Sequence, residues 1–209
     1  MNIILQSHIF GPLQNNTYLL ADPESHMAVI IDPAQGSHLL IDQLKQMGVT
    51  LKAIWITHAH FDHIFAVKSF LLSFPDTKVA LHPLDFDLWE KGGGSLDFGY
   101  SFNIDVQPQL FLSHGQKITL GNLVIEVRHT PGHTPGHVIF YLPELHTAFT
   151  GDLIFYHSIG RTDFEGGDFE QLIQSIHTQL FTLPAQTRLL CGHGPETSVQ
   201  EEMTNNPFV

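Results

Sequence analysis

The feature that most constrains this chain is a dense run of potential metal ligands over residues 57–63, with the sequence Thr-His-Ala-His-Phe-Asp-His. The run directly follows the apolar segment 53–57 and precedes a segment that is typical of a helix. A strand-to-helix loop can turn several side chains towards one point, and imidazole and carboxylate together suit zinc, iron or manganese. The alternative, exposed loop histidines without a role, is disfavoured because chance rarely groups four such residues after a buried strand.

Three more stretches place ligand-type residues directly after predicted strands. They are Thr130-Pro131-Gly132-His133-Thr134-Pro135-Gly136-His137, Gly151-Asp152 and Gly192-His193-Gly194-Pro195. Each signal is weak alone, because an isolated Gly-Asp or Gly-His is more often a turn. Sites in α/β proteins collect beyond the carboxyl ends of strands, so the four stretches together predict convergence if those ends share one edge.

Strands and helices alternate along both halves of the chain. Short β-branched or aromatic segments bounded by turn residues predict strands at 17–20, 28–31, 53–57, 79–81, 117–120, 123–128, 138–141, 148–150 and 188–191. Helices are predicted at 37–47, with Ser37 as cap and Gly48 as stop, at about 64–74, and after Asp168.

This alternation predicts two packed sheets with helices outside them. The halves divide near 105–116, and nothing between them resembles a linker, so we expect one domain over 1–209, with halves of about 1–110 and 111–209. The irregular, aromatic-rich stretch 86–112 has two interpretations: an ordinary surface excursion that tucks its aromatic rings over the core, or a mobile cover over a site.

The composition of the chain disfavours several classes of binding partner and indicates a cellular compartment. A net charge of −12 argues against binding to nucleic acid or to anionic lipid. No apolar run approaches the ~18 residues of a membrane span, and the first residues lack the marks of a secretory signal. The lone Cys191 cannot form an internal disulfide, which suits a reducing compartment. We therefore expect a cytoplasmic protein that acts on a small molecule, with no prediction of oligomeric state.

Together the motifs resemble the metallo-β-lactamase superfamily, and most closely its glyoxalase II (hydroxyacylglutathione hydrolase) branch. The resemblance rests on 57–63, 130–137, Gly160-Arg161-Thr162-Asp163 and 192–195, and it extends from Asn15 to Phe208. It implies an α/β fold (α+β, four layers): an αββα sandwich of two mixed β-sheets with helices on the outer faces. Because the chain stops soon after His193, the resemblance is to short single-domain members, without the helical C-terminal region that helps to hold glutathione.

The resemblance also implies a set of metal ligands at the seam of the sandwich. One divalent ion would be bound by His58, His60 and His133. The other would be bound by Asp62, His63 and His193. Asp152 would bridge the two ions, with zinc favoured and iron or manganese as alternatives.

The implied reaction is hydrolysis of a thioester, such as S-lactoylglutathione, by a hydroxide held between the metals. His58, His60 and Asp62 are the expected catalytic residues, and Asp62 would also orient the hydroxide. The alternative is a persulfide dioxygenase with one iron on His58, His133 and Asp152. A lactonase, a β-lactamase, an RNA-processing nuclease and a non-catalytic metal-binding protein are less favoured.

Several neighbouring residues have two interpretations each. Thr57, Thr130 and Thr134 either hydrogen-bond ligand imidazoles or serve only the turns. His137 is expected behind the ligands or at a strand start rather than on a metal. Arg161 either anchors an acidic substrate or pairs with Asp163 or Asp168.

Overall fold

The first half of the chain forms a mixed six-stranded sheet. The computed structural model describes residues 3–209, and its first sheet has the strand order β1-β2-β3-β4-β5-β6. The strands are β1 (Ile4–Phe10), β2 (Asn15–Asp22), β3 (Met27–Ile31), β4 (Thr50–Trp55), β5 (Lys78–Leu81) and β6 (Leu110–Phe111). Strands β1, β2 and β3 pair antiparallel, whereas β3, β4, β5 and β6 pair parallel. Each parallel pair requires a crossover connection.

The second half forms another six-stranded sheet, in the order β14-β13-β10-β9-β8-β7. Its strands are β7 (Lys117–Leu120), β8 (Leu123–His129), β9 (Val138–Leu142), β10 (Thr147–Gly151), β13 (Arg188–Cys191) and β14 (Thr197–Ser198). Between β10 and β13 along the chain, β11 (Ile154–Phe155) and β12 (Ser158–Ile159) form a small antiparallel hairpin. The chain passes from the first sheet to the second between β6 and β7.

Three apolar clusters define four layers. The middle cluster lies between the sheets and joins Leu20 and Trp55 of the first sheet to Phe140 and Phe149 of the second. Alternate residues of the same strands enter an outer cluster: Leu19 packs with the helix residues of the first half. A third cluster covers the far face of the second sheet with residues of its own helices. Because side chains alternate along a strand, each sheet is buried on both faces, and the predicted αββα sandwich is confirmed.

The helices differ from prediction in detail. They are α1 (Leu40–Met47), α2 (Phe61–Ile64), α3 (Val67–Ser73), α4 (Phe86–Glu90), α5 (Phe169–Ser175) and α6 (Val199–Asn205). The predicted stop at Gly48 is confirmed, with a φ of 65°. Ser37 as a cap is wrong: it lies buried inside a preceding 3-10 turn that begins after Gly36, and its hydroxyl has no partner within residues 3–209.

The helix predicted over 64–74 is interrupted. The Ala66 amide donates to the Pro33 carbonyl oxygen (2.9 Å) and so leaves the helical hydrogen-bond ladder, which separates α2 from α3. The start of α5 is as predicted, because the Asp168 carboxylate accepts from the Gln171 amide (3.0 Å). A π-helical turn then extends α5 over residues 176–180.

The stretch 86–112 packs against the outer cluster of the first half and reaches the ligand loop. Trp89 is fully buried, and its indole donates to the Val106 carbonyl oxygen (2.7 Å). Phe98, in contrast, is 41% exposed. The Gly93 carbonyl oxygen accepts from the Phe61 amide (3.0 Å), so the stretch is tied to the segment that carries the histidine run.

Among the helices described for residues 3–209, none has the length and hydropathy of a membrane span.

A substitution at Gly132 tests how closely the loop 130–137 packs against α5. Its φ is +137°, and a Cβ there would overlap the backbone of Leu172 in α5. We expect Gly132→Ala to reduce the free energy of unfolding of the metal-free protein by about 3 kcal/mol, because backbone strain and overpacking add. Denaturant unfolding measures the change.

Gly48→Ala is the matched control. Gly48 also has a positive φ, but a Cβ there meets nothing within 4 Å. This substitution carries only the conformational strain, about 1 kcal/mol. Equal losses in the two variants would contradict the close approach of α5 to the loop.

Candidate metal centre

Two groups of ligand-type side chains lie side by side at one end of the sandwich. His58, His60 and His133 form one group, and Asp62, His63 and His193 form the other; within each group the ligand atoms lie within 4.8 Å of one another. Their composition, imidazole with carboxylate, suits borderline divalent cations.

Asp152 stands between the two groups. Its Oδ1 lies 3.4 Å from His63 Nε2, and its Oδ2 lies 3.6 Å from both His133 Nε2 and His193 Nε2. The structure thus brings together all seven residues that the sequence motifs and the resemblance singled out. Asp152 therefore lies beside members of both groups.

The convergence depends on two sheets rather than on one sheet edge. The run 58–63 follows β4 of the first sheet, whereas His133, Asp152 and His193 follow β8, β10 and β13 of the second. Backbone hydrogen bonds join the sheets at this end, from the Asn16 amide to Gly192 (2.8 Å) and from the Val138 amide to Thr57 (2.8 Å). The expectation of one shared edge is corrected in this respect: sheet packing aligns the strand ends.

Unpartnered buried atoms point into the centre. Within residues 3–209, His58 Nε2, His63 Nε2 and Asp152 Oδ1 are buried and have no hydrogen-bond partner. Such groups are rare in folded proteins unless an ion or water satisfies them. His60 Nδ1 and His133 Nε2 lie 2.9 Å apart, near the roughly 3.3 Å that separates two nitrogens on a tetrahedral zinc ion. The residues therefore fit divalent metal ions.

The opposite ring nitrogens of four histidines are held by fixed groups. His58 Nδ1 contacts Thr57 Oγ1 (3.0 Å), and His63 Nδ1 contacts Asp32 Oδ2 (3.0 Å). His133 Nδ1 contacts the carbonyl oxygen of Arg161 (2.6 Å), and His193 Nδ1 contacts that of Leu13 (3.0 Å). An imidazole that donates from Nδ1 presents a free lone pair on Nε2. These contacts select the tautomer that a metal ion needs.

Asp32 is a supporting residue that the sequence analysis missed. Its carboxylate accepts from the Thr57 amide (2.8 Å), the Thr57 hydroxyl (2.6 Å) and His63 Nδ1. A signal was present, because Asp32 directly follows strand β3 just as the predicted ligands follow their strands. Asn15 was also missed, although its Nδ2 donates to Asp62 Oδ2 (2.8 Å).

Asp85 joins two ligand loops from behind. It is fully buried and accepts from the Ala59 amide (2.9 Å), the Thr134 hydroxyl (2.8 Å) and the Gly136 amide (2.6 Å). Burial raises the pKa of its carboxyl group, and the three donors oppose this. The Thr134 hydroxyl thus donates to the Asp85 carboxyl group rather than to a ligand imidazole.

His137 and Thr130 lie behind the ligands. The Thr130 hydroxyl contacts His137 Nδ1 (2.8 Å), and the His137 ring lies 5.3 Å from that of His58. His137 belongs to neither ligand group, and its buried Nε2 has no partner within residues 3–209. Burial and the neighbouring His133 hold the pKa of its imidazole well below the ordinary value, so this residue is neutral.

The charges within the metal-free centre are unequal. Burial lowers the pKa of His63, but the carboxylates of Asp152 and Asp62 raise it well above its ordinary value. Burial and the surrounding imidazoles, in contrast, hold the pKa of His58 well below its ordinary value. The protonated form is therefore favoured at His63 and disfavoured at His58.

A cleft of about 250 Å³ opens onto the ligands and has largely aromatic walls. Phe61, Phe98, Phe155 and Phe164 line it together with Arg161. The Arg161 guanidinium stacks over the Phe164 ring (4.2 Å) and pairs with Asp163 through two hydrogen bonds of 2.9 and 2.8 Å. Of the two interpretations of Arg161, the ion pair with Asp163 is present; Arg161 also lines the cleft, and its contact with an acidic substrate stays a prediction.

Comparison with known proteins identifies the class to which this fold and centre belong. A family profile described as "Metallo-beta-lactamase superfamily" matches residues 10–193. The chain is 38% identical to "Probable metallo-hydrolase YqgX" of Bacillus subtilis, over 95% of this chain and 94% of the relative. It is 37% identical to "Hydroxyacylglutathione hydrolase GloC" of Haemophilus influenzae, over 94% and 93%. "Persulfide dioxygenase ETHE1, mitochondrial" of Mus musculus is 33% identical, over 98% and 75%.

Solved structures agree with the fold. "BLEG-1 B3 metallo-beta-lactamase" superposes with a TM-score of 0.91 at 38% identity and covers 98% of this chain and 99% of its own. "TTHA1623 in a di-iron-bound form" has a TM-score of 0.87 at 38% identity, over 98% and 100%. The chain belongs to the metallo-β-lactamase superfamily. With the two ligand groups, this membership supports binding of divalent metal at the centre.

Asp32 should set the metal affinity without binding the metal. In Asp32→Asn, an amide replaces the acceptor that holds Thr57 and the His63 ring. We expect metal affinity to fall about 10- to 100-fold, as for other partners of ligand histidines. Competition with a chromophoric chelator measures it. The exposed Asp76→Asn is the control, and unchanged affinity in Asp32→Asn would contradict the orienting role.

Metal binding should release protons at pH 7. The carboxylates of Asp152 and Asp62 raise the pKa values of the His63 and His193 imidazoles and so favour their protonated forms, whereas a ligand nitrogen must lose its proton. We expect one to two protons released per protein, and an affinity that rises with pH until these groups are neutral. Calorimetry in buffers of different ionisation enthalpy counts the protons. Binding without proton release would contradict these charges.

Proposed function

We propose that this protein is a metal-dependent hydrolase of a small thioester, an S-lactoylglutathione-like compound. The observation that carries the proposal is the pair of complete ligand groups with Asp152 between them, open to a single cleft. A relative at 37% identity that bears the name hydroxyacylglutathione hydrolase supports this choice among superfamily reactions.

The seven residues would hold two divalent cations. His58, His60 and His133 would bind one and Asp62, His63 and His193 the other, with Asp152 between them. Zinc is our first choice, and the neighbour described as di-iron-bound supports iron as the alternative, with manganese third. Cations bound there lower the pKa of a water molecule towards ~7 and polarise the thioester carbonyl group.

The chain's own residues would position the reactants. Asp62, whose Oδ2 is held by the Asn15 amide group, orients the attacking water. Phe98, Phe155 and Phe164 surround the acyl group and exclude bulk water. The departing thiol has a pKa near ~8.5, so a thiolate leaves without a general acid. Arg161, shared with Asp163, attracts a carboxylate of the substrate to the rim of the cleft.

One alternative reaction has an observation in its favour. His58, His133 and Asp152 form a set of two imidazoles and a carboxylate, which suits a single non-haem iron. The 33% identity to a persulfide dioxygenase supports the same possibility. The presence of the complete second group, Asp62, His63 and His193, favours hydrolysis.

His60→Ala tests the hydrolase. Loss of one imidazole from the first group should reduce kcat/KM for S-lactoylglutathione at least ~100-fold at matched metal content, because the attacking water loses its activation. His38→Ala, at an exposed position in the 3-10 turn before α1, is the control. Retained thioester hydrolysis in His60→Ala would overturn the assignment.

Oxygen uptake with glutathione persulfide, measured in parallel on the wild type, separates the alternatives. Thioester cleavage without oxygen uptake supports the hydrolase, and the reverse result supports the dioxygenase. Neither activity in the metal-loaded protein supports a binding protein without catalysis.

A further inference from the structure

A second cavity adjoins the metal cleft. It measures about 230 Å³ and shares His60, Phe98 and Phe164 with the cleft. The two phenylalanine rings lie 5.7 Å apart and stand where the two spaces meet. A molecule bound at the metal ligands can therefore extend past these rings, and the hydrolysis proposed above leaves the second cavity without a role.

The polar side chains of this cavity carry both signs of charge. They are Lys91, Asp97 and Glu165. The Lys91 ammonium pairs with the Glu165 carboxylate at 2.9 Å, but the two side chains are 59% and 82% exposed. Solvent-exposed pairs of this kind contribute little to stability, so a ligand can share or replace one partner.

Asp97 differs from Glu165 in having no internal partner. Its carboxylate makes no side-chain hydrogen bond or ion pair with any residue of 3–209. It lies in the 3-10 turn 95–98, which glycines with positive φ bound on both sides, and this turn also carries Phe98. The wall of the cavity therefore holds the Asp97 carboxylate, which has no partner among residues 3–209. It also holds the Lys91 ammonium, whose ion pair with Glu165 is exposed to solvent.

We propose that this cavity is a subsite for a zwitterionic α-amino acid group on the thiol part of the substrate. The Lys91 ammonium binds the carboxylate of that group, and the Asp97 carboxylate binds its ammonium. Glutathione carries such a group at one end, whereas a lactoyl group does not. The subsite deepens the proposed thioester hydrolysis and rests on it for the identity of the substrate.

Neutral variants that keep side-chain size test the subsite. In Lys91→Met and Asp97→Asn, we expect KM for S-lactoylglutathione to rise three- to tenfold with kcat unchanged, because each variant loses one charge-assisted contact. The thioester of lactate with N-acetylcysteamine, whose thiol part is uncharged, should show no change. Lys45→Met and Asp42→Asn in α1 make the same charge changes away from both cavities and serve as controls.

Glu165→Gln separates binding from mere structural support. If Lys91 binds substrate, removing its competing carboxylate should lower KM for S-lactoylglutathione about two- to threefold, opposite in sign to Lys91→Met. If the Lys91–Glu165 pair only ties the stretch 86–112 to the loop after β12, the two variants should weaken the enzyme alike. That result, or equal effects on both thioesters, would overturn the subsite.

Binding of S-methylglutathione, which cannot be hydrolysed, is measured by calorimetry. This measurement distinguishes failure of the subsite from failure of the proposed hydrolase. Weaker binding to Lys91→Met with no thioester cleavage by the wild type would reject the hydrolase and retain the subsite. Cleavage of both thioesters with unchanged binding to Lys91→Met and Asp97→Asn would retain the hydrolase and reject the subsite.

Discussion

The apolar layer between the two sheets is the contact on which the rest of the structure depends. Residues such as Trp55 and Phe140 pack there with ring centroids 5.4 Å apart, and this packing sets the distance between the sheets. The ligand run follows a strand of one sheet, and the remaining ligands follow strands of the other. A shift of one sheet against the other would separate the two halves of every ligand group, so the core holds the centre together.

Buried carboxylates transmit this packing to the ligands. Asp32 connects the end of β3 to Thr57 and His63, and Asp85 connects the ligand run to the 130–137 loop. Each carboxyl group accepts hydrogen bonds from several donors, and a buried polar network of this kind is stable only when all its contacts form together. The centre is therefore pre-arranged before a metal binds, with the imidazole rings already held by their second nitrogens.

The ligand-type residues of the centre and the walls of the cleft lie on different parts of the chain. The ligands lie on short loops at strand ends, within a tightly bonded frame. The walls of the cleft come from less regular segments, including the stretch 86–112 with Phe98 and the loop that carries Arg161 and Phe164. This separation agrees with the different reactions in the names of the relatives, one a hydrolase and one a dioxygenase.

The order of motifs along the sequence was enough to predict the class of fold and the seven convergent residues. Short β-branched or aromatic segments bounded by turn residues, and the unusual density of ligand types, carry that information locally. The sequence did not reveal β1, whose residues are only partly buried, or the break at Ala66, which depends on a bond to Pro33. Only the tertiary structure decided that Asp32, Asp85 and Asn15 support the ligands, because each acts on residues distant in sequence. The adjoining cavity likewise exists only where 86–112 meets the loop after β12, since neither segment encloses a space alone.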